Sequence, residues 1–412
     1  MTQTPISDPA HTDLWLRDPV HRQWLLEEAR HQLSFFDGSL RDDGGFDLLD
    51  WDGSVLPRDG QELHTSTRMV HSYALGKIIG HPGSDRMIDA GMDYIWNMHR
   101  DTEHGGYLWS IDETGIKTDT KLAYGHVFVL LAASSAKKAG HPDADRLFDD
   151  ITEVLDRHFW DETAGLLRDE FSRDFTPFST YRGLNANMHG VEGFLAAFEA
   201  TGDAVWLDRA GRILDFFTDR IASAHDWRIP EHYTEDWQVD PDYEGNPIFR
   251  PAGTTPGHSL EIARLALQHW DLSGRPDTTA PERARKLIEQ ALTDAWLPDG
   301  GLAYTLHPGG DIDKPGCYFW PVAEAIAAIA SLQKTGGTMT DESWYRRLWT
   351  FANERLIDHE RGGWYPEVAP DGQPMAEQFP GKPDIYHSLQ ATLYPLATGI
   401  SRQGDDGFPA GA

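Results

Sequence analysis

Six similar segments of the chain can be aligned, and five of them have histidine at the same position. The imidazole of histidine moves protons readily near neutral pH. Each segment is apolar and rich in Ala or Leu. The aligned positions are His71, His126, His189, His258, Pro321 and His387. Because helix capping alone does not require one side chain at five of six places, the pattern predicts a cluster of imidazoles that act as general acids and bases.

Three carboxylates follow this histidine column at a helical spacing. Glu192, Glu261 and Glu324 lie three residues after the recurring position, on the same helix face. If the helices point the same way, these side chains and Arg68 converge on one cavity, at the positive ends of the helices. The alternative is a structural one: pairing with arginine for the carboxylates, and a turn or capping role for Asn185.

A metal site is another alternative for this cluster. The pairs His189–Glu192 and His258–Glu261 have the i, i+3 spacing that can bind metals on helices. First-row metals in oxygen-rich sites generally need more clustered carboxylates, so the sequence predicts no metal and no cofactor. The segment GHSLE (257–261) lacks the second glycine of a serine nucleophile elbow. The pattern favours proton transfer on a neutral sugar, either aldose–ketose isomerisation or 2-epimerisation.

Two kinds of helix must position these residues. Amphipathic outer helices are predicted at 19–37, 84–100, 143–160, 203–223, 280–296 and 340–358. Apolar inner helices are predicted at 65–79, 121–139, 187–200, 256–270, 319–334 and 386–398. Paired glycines, as in TEHGGY (102–107), suit tight exits into short β-hairpins. The predicted fold is an all-α (α/α)6 barrel of six outer and six inner helices, with an open helical solenoid as the alternative.

Composition narrows the range of partners. The 412 residues include 36 basic and 66 acidic side chains, a net charge of −30 at pH 7 that repels nucleic acid and anionic lipid. We expect no nucleic-acid or membrane partner, a cytoplasmic location without a secretory signal, and a monomer or homodimer. The single cysteine, Cys317, forms no internal disulfide. One domain is predicted at 15–400, with terminal extensions at 1–14 and 401–412.

Long motifs around the histidine column resemble the N-acylglucosamine 2-epimerase superfamily. They are TRMVHSY (67–73), YGHVFVLLAA (124–133), NANMHGVEGFLAAFEATGD (185–203), PGHSLEIARL (256–265), FWPVAEA (319–325) and DIYHSLQATLYP (384–395). The resemblance extends over all six predicted inner helices. It implies an (α/α)6 barrel and metal-free acid–base catalysis by two histidines.

The resemblance also implies roles for individual residues. His258 in PGHSLE and His387 in DIYHSLQ match the family's catalytic pair. The positions that bind sugar in such enzymes correspond to Arg68, Tyr124, Asn185, His189 and Glu261, and Trp320 is expected to form an extra wall. His71 and His126 are expected to support the structure rather than contact substrate.

Within the superfamily, length and motifs are most similar to the isomerases of mannose and sulfoquinovose. The expected reaction interconverts D-mannose and D-fructose, with D-lyxose and D-xylulose as a second pair, through a cis-enediol(ate). His387 is expected to move a proton from C2 to C1, and His258 to assist ring opening and proton movement between the sugar oxygens; the reverse assignment stays open. The alternatives are a sulfoquinovose isomerase, a 2-epimerase of N-acylglucosamine or cellobiose, a glycoside hydrolase with an acidic pair, and a non-catalytic glycan-binding protein.

Overall fold

Outer and inner helices alternate along the chain. The computed structural model describes residues 14–243, 245 and 250–400. The outer helices are α1 (Pro19–Phe36), α3 (Ser84–Tyr94), α5 (Ala144–Val154), α7 (Ala204–Leu214), α9 (Thr279–Ala295) and α11 (Met339–Phe351). The inner helices are α2 (Leu63–Ile78), α4 (Ala123–Lys138), α6 (Leu184–Thr201), α8 (Pro256–Leu272), α10 (Phe319–Lys334) and α12 (Tyr386–Leu393). The predicted extensions at 1–14 and 401–412 lie outside the described residues, apart from Leu14.

The inner helices form a closed ring. Helix α2 packs against α4, α4 against α6, α6 against α8, α8 against α10 and α10 against α12, and α12 returns to α2. The outer helices cover this ring, and α1 contacts both α12 and α2 at the closing point. The closure confirms the predicted (α/α)6 barrel rather than the open solenoid, whose first and last repeats contact only one neighbour each.

Burial separates the two kinds of helix. In α4 every residue from Gly125 to Ala136 is buried, so this helix must be apolar or internally paired on all its faces. In α5, by contrast, Leu147 and Ile151 are buried, while Arg146 and Asp149 are exposed. None of the helices in the described part of the chain combines the length and apolarity needed to cross a membrane.

Small antiparallel sheets lie where the inner helices begin. The pairs are β1 (Leu48–Leu49) with β2 (Val55–Leu56), β6 (Lys121–Leu122) with β9 (Glu170–Phe171), β7 (Trp160–Asp161) with β8 (Leu166–Leu167), β10 (Arg182–Gly183) with β11 (His232–Tyr233), and β12 (Thr305–Leu306) with β13 (Ile312–Lys314). The three-stranded sheets are β3 (Gln61–Glu62), β4 (Ser110–Asp112) and β5 (Gly115–Thr118), and β14 (Cys317–Tyr318), β15 (Glu367–Val368) and β16 (Pro374–Met375). Strands β3, β6, β10 and β14 run directly into α2, α4, α6 and α10, so strand pairing sets where those helices start.

Some predicted boundaries were wrong by a few residues. Helix α12 was predicted to reach 398, but it ends at Leu393 and is followed by a 3-10 turn over Tyr394–Leu396, because Pro395 has no N–H to donate. Helices α3, α5, α7 and α11 end in wide π-helical turns at Ile95–His99, Leu155–Phe159, Asp215–Ile221 and Ala352–Leu356. These turns occupy most of the remaining span that the sequence assigned to regular helix.

Candidate active site

A cavity of about 260 Å³ opens at the end of the barrel where the inner helices begin. The structure brings all eight predicted site residues into its lining: Arg68, Tyr124, Asn185, His189, His258, Glu261, Trp320 and His387. Most of them lie in the first two turns of an inner helix. The cavity is smaller than the roughly 300–1,000 Å³ pockets that hold drug-sized ligands, which suits a single sugar ring.

His387, in the first turn of α12, is held by a carboxylate from α10. Its Nδ1 lies 2.8 Å from Oε1 of Glu324, and both side chains are buried. Because a carboxylate only accepts hydrogen bonds, this contact favours the neutral tautomer that carries its proton on Nδ1. Nε2 has no hydrogen-bond partner among the described residues and is the nitrogen available to a ligand.

His258, in the first turn of α8, is held in the same way by Glu231. Its Nδ1 lies 3.0 and 2.9 Å from the two carboxylate oxygens of Glu231. The backbone N–H of Thr255 also donates to Glu231 Oε1, at 3.2 Å, and so fixes the carboxylate. The cavity therefore contains two imidazoles, each oriented through Nδ1 by a buried carboxylate.

Trp320 lies beside both imidazoles. The distances between ring centroids are 5.2 Å to His258 and 5.6 Å to His387, with interplanar angles of 35° and 37°. A bound sugar that lies against this indole would therefore have both histidines within reach. Trp320 thus lines the cavity next to both imidazoles; that it acts as a wall for the sugar stays a prediction.

Arg68 brings a positive charge to the lining of the cavity. Its Nη1 lies 2.8 Å from Asp384 Oδ2, and its Nη2 donates to the hydroxyl of Tyr124 at 2.9 Å. The guanidinium also packs on the rings of Phe128 and Tyr386, 4.7 and 4.6 Å from their centroids. These contacts lock its orientation, so its charge is preorganised before any ligand binds.

His189 and Asn185 line the cavity from α6. Nδ1 of His189 lies 3.4 Å from Glu192 Oε2. Burial lowers the pKa of His189 to about 4 despite this carboxylate, so the ring is neutral at pH 7. The buried Oδ1 of Asn185 has no hydrogen-bond partner among the described residues, so it can accept one from a ligand hydroxyl.

Beneath the cavity, Arg264 lies between three carboxylates. Its Nε donates to Glu324 Oε2 at 3.2 Å, and its Nη2 lies 3.8 Å from Glu192 Oε1 and 3.7 Å from Glu261 Oε1. Burial and the other two carboxylates raise the pKa of Glu261 well above its usual value. Neither oxygen of Glu261 has a hydrogen-bond partner among the described residues. This shift favours the protonated form of Glu261, which could donate a hydrogen bond to a ligand as well as accept one.

The position of Arg264 also bears on whether the surrounding carboxylates and histidines fit a metal ion. Two triads place possible ligand atoms within 4.8 Å of one another: His189, Glu192 and Glu261, and Glu261, Glu324 and His387. However, the guanidinium of Arg264 lies among the same carboxylates and repels a second cation. The Nδ1 atom of His387 is already bonded to Glu324. The donor set therefore fits a buried arginine better than a metal ion.

The remaining histidines of the column do not line the cavity. His71 contacts the hydroxyl of Ser135 at 2.8 Å and the side chain of Gln390 at 3.0 Å. His126 accepts the backbone N–H of Tyr107 at 3.0 Å and packs against Phe159. Both are buried in the walls of the barrel, so the sequence alignment of five histidines does not give five histidines in one site.

Sequence reasoning missed three residues that shape the site. Glu231 lies in a loop outside the repeated segments, and no local signal links it to His258. Asp384 stands in the quoted motif DIYHSLQ, but its pairing with Arg68 joins opposite ends of the chain. Arg264 could have been found, since a charged side chain within a fully buried helix needs a charged partner.

The chain matches known proteins along almost its whole length. The sequence pattern of the N-acylglucosamine 2-epimerase (GlcNAc 2-epimerase) family matches residues 44–391. The chain is 40% identical over 390 residues to a D-mannose isomerase of Thermobifida fusca, which covers 93% of this chain and 96% of that protein. It is 39% identical over 391 residues to a D-mannose isomerase of Pseudomonas cannabina pv. alisalensis, with 93% and 94% covered.

Comparison of structures agrees with the comparison of sequences. A crystal structure of D-mannose isomerase superposes with a TM-score of 0.85 at 33% identity, over 90% of this chain and 96% of that one. The fold and the sequence therefore point to the same relatives. The chain belongs to the N-acylglucosamine 2-epimerase family.

Proposed function

We propose that this protein is an aldose–ketose isomerase that interconverts D-mannose and D-fructose, with D-lyxose and D-xylulose as a second substrate pair. The observation that carries the proposal is the pair of imidazoles, His258 and His387, which are held by carboxylates and line one small cavity next to Trp320. The D-mannose isomerases to which the chain is similar support the choice of sugar.

The reaction needs one proton to leave C2 of the open-chain aldose and return to C1. In our proposal the Nε2 atom of His387 accepts the proton from C2, which gives a cis-enediolate, and later delivers a proton to C1. His258 first assists ring opening and then moves the hydroxyl proton from O2 to O1, so that the new carbonyl forms at C2. No redox partner is needed, because C2 is oxidised as C1 is reduced within one molecule.

The surrounding residues hold the sugar and stabilise the intermediate. Arg68 places a positive charge near the cavity in which negative charge develops on the enediolate oxygens. His189 is a neutral imidazole, and because its Nδ1 faces Glu192, its Nε2 can accept a hydrogen bond from a sugar hydroxyl. The raised pKa of Glu261 favours its protonated form, which adds no negative charge beside the intermediate. We propose that this catalysis is metal-free, since Arg264 supplies the cation beneath the site.

Proton NMR of the EDTA-treated protein with D-mannose in D2O tests the reaction directly. We expect fructose to appear with solvent deuterium in the products. The variants His258→Asn and His387→Asn should each lose activity by roughly 10²-fold or more, because each removes a general acid–base group. The exposed His104 offers a matched control, and His104→Asn should leave the rate unchanged.

Two outcomes would contradict the proposal in different ways. If glucose forms from mannose before any fructose, the protein is a 2-epimerase, since the proton then returns to C2 from the opposite face. If the mannose spectrum does not change, mannose is not the substrate; the same assay then moves to sulfoquinovose, N-acylglucosamine and cellobiose.

A further inference from the structure

Arg264 contacts the carboxylate that holds His387, although it does not line the cavity itself. One oxygen of Glu324 accepts from Arg264 Nε at 3.2 Å, and the other lies 2.8 Å from His387 Nδ1. The three side chains thus form a buried chain that runs from the barrel interior to the cavity. A change in charge at position 264 would therefore affect His387 through Glu324, which contacts both residues.

We propose that Arg264 is a positioning residue that keeps Glu324 ionised and thereby sets the pH range in which His387 can accept the substrate proton. This inference rests on the proposed isomerase function, because it assigns a device to the base of that reaction. The role is electrostatic: the positive charge of Arg264 stabilises the ionised form of Glu324, and Arg264 forms no bond with the substrate.

The guanidinium is placed to act through its charge more than through hydrogen bonds. Arg264 is fully buried, yet its Nη1 and Nη2 atoms have no hydrogen-bond partner among the described residues. A buried arginine that served only to tie helices together would be expected to use its planar fork in paired hydrogen bonds. Here Nη2 instead lies 3.7–3.8 Å from Glu261 and Glu192, within range of electrostatic attraction but beyond the range of a hydrogen bond.

Groups that titrate or carry charge face Arg264 or its three carboxylates from five inner helices and the turn after α12. They are His71 and Arg68 from α2, His189 and Glu192 from α6, Glu261 from α8, Glu324 from α10, Tyr386 and His387 from α12, and Tyr394 from the following turn. Within this set, three carboxylates share one adjacent guanidinium. The arginine therefore decides how many of the three can be anionic at once.

The carboxylates respond unequally to this charge. Burial raises the pKa of Glu324, but Arg264 and His387 outweigh it and hold the value below the usual range. The pKa of Glu261 is raised well above the usual range by burial and by its two carboxylate neighbours. Within the cluster, protonation is thus favoured at Glu261 over Glu324, the carboxylate that orients His387.

Loss of the arginine should shift this balance in a known direction. Without the positive charge, Glu324 and its neighbours bind protons more tightly, so protonation of the cluster sets in at higher pH. A base that is protonated cannot accept the proton from C2. The acidic limb of kcat/KM for mannose, which reports the free enzyme, should therefore move towards alkaline pH.

The first experiment compares pH profiles of kcat/KM for Arg264→Met, Arg264→Lys and the unchanged protein. We expect the midpoint of the acidic limb to rise by about one pH unit in Arg264→Met. A shift of this order is expected when one buried charge is lost nearby and the effective dielectric constant is near 20. Arg264→Lys keeps the charge and should keep the limb near its original position, even if its kcat is lower. Arg285→Met removes an arginine that pairs with Asp341 on the outer layer, and it should leave the limb unmoved.

A change of opposite sign provides the second variant. Glu192→Gln removes a negative charge from the same cluster and should move the limb towards acidic pH. The double variant Arg264→Met with Glu192→Gln should return it close to the original position. This pair also keeps the inference testable if Arg264→Met alone fails to fold.

A readout without turnover separates this inference from the proposed function. The imidazole resonances that disappear in His387→Asn can be followed through a pH titration by NMR, and their midpoint should rise in Arg264→Met whether or not mannose is the substrate. If the unchanged protein converts no mannose but this midpoint shifts, only the proposed function fails. If mannose is converted and neither limb nor midpoint moves in Arg264→Met, Arg264 is merely structural and the inference is wrong.

Discussion

At the scale of single residues, His258 and His387 are both imidazoles held by a carboxylate, but the two carboxylates come from different kinds of element. Glu324 stands on the neighbouring inner helix, whereas Glu231 lies in a loop, between Pro230, which forms a backbone bridge with Thr254, and strand β11. Each histidine is fixed through Nδ1, which leaves Nε2 for the cavity. Both imidazoles therefore depend for their orientation on a carboxylate that does not have to contact the sugar.

Removal of the carboxylate that holds His258 tests this dependence. In Glu231→Gln one of the two oxygens near His258 Nδ1 is replaced by an NH2 group, which donates hydrogen bonds instead of accepting them. The side chain therefore no longer fixes the tautomer and orientation of His258. We expect kcat to fall by roughly 10²-fold with little change in KM, because proton transfer and not sugar binding is impaired. Steady-state kinetics with mannose checks this expectation.

A second buried glutamate provides the control for this prediction. Glu342 accepts the backbone N–H of Trp15 at 3.1 Å and lies near the C-terminal end of α10, away from the cavity. Glu342→Gln should lower the thermal midpoint and leave kcat unchanged. Equal losses of kcat in both variants would mean that the barrel responds globally and that Glu231 has no special role.

At the scale of elements, the loops between outer and inner helices are held by buried lysines. Lys382 Nζ lies 2.8 Å from Asp358 Oδ2 and donates to the carbonyl oxygen of Gly362 at 2.7 Å. Lys121 makes the equivalent contacts in another repeat, to Asp101 at 3.0 Å and to a glycine carbonyl at 2.8 Å. Of the two loops, the one around Lys382 carries residues of the cavity lining, including Phe379.

This difference predicts different effects of the same substitution. Lys382→Met should raise the KM for mannose several-fold, because the loop that carries Phe379 loses its anchor. Lys121→Met should cost a similar amount of stability, about 1–3 kcal/mol for the unpaired buried groups, with a smaller effect on KM. Thermal unfolding and steady-state kinetics on both variants measure the two effects. A KM that rises equally in both would show that the anchors act only through overall stability.

At the scale of the whole molecule, the ring is closed by its shortest inner helix. Helix α12 carries His387 at its start, and Lys334 from the end of α10 donates to the carbonyls of Tyr394, Ala397 and Gly399 after it. Gln32 on α1 also reaches α12, where it donates to Thr392 Oγ1 at 3.0 Å. The last part of the described chain is thus tied to the inner helix α10 and to the outer helix α1.

The closure predicts that activity and folding are lost together. Lys334→Met leaves three carbonyls without their donor and should lower the free energy of unfolding by about 1–3 kcal/mol. Because His387 stands on α12, loss of activity in urea should coincide with loss of helix measured by circular dichroism. If activity disappears well before the helix signal, α12 opens separately from the rest of the barrel.

Much of this architecture follows from the sequence alone. Hydrophobic periodicity and the repeated glycine turns predict twelve helices in two classes, since a helix buried all round needs apolar residues on every face. The recurring histidines place His258 and His387 at the starts of inner helices, where the helix ends converge. Local pattern determines these features because each depends only on residues within one or two turns.

The tertiary structure alone decides which groups meet. His126 and His387 occupy the same aligned position, yet His126 turns to Tyr107 and Phe159 while His387 faces the cavity. The pairing of His258 with Glu231, and the sharing of Arg264 among three carboxylates, join segments that are distant in sequence. Such contacts, and the raised pKa of Glu261 that follows from them, depend on distance and burial, which no local pattern of residues records.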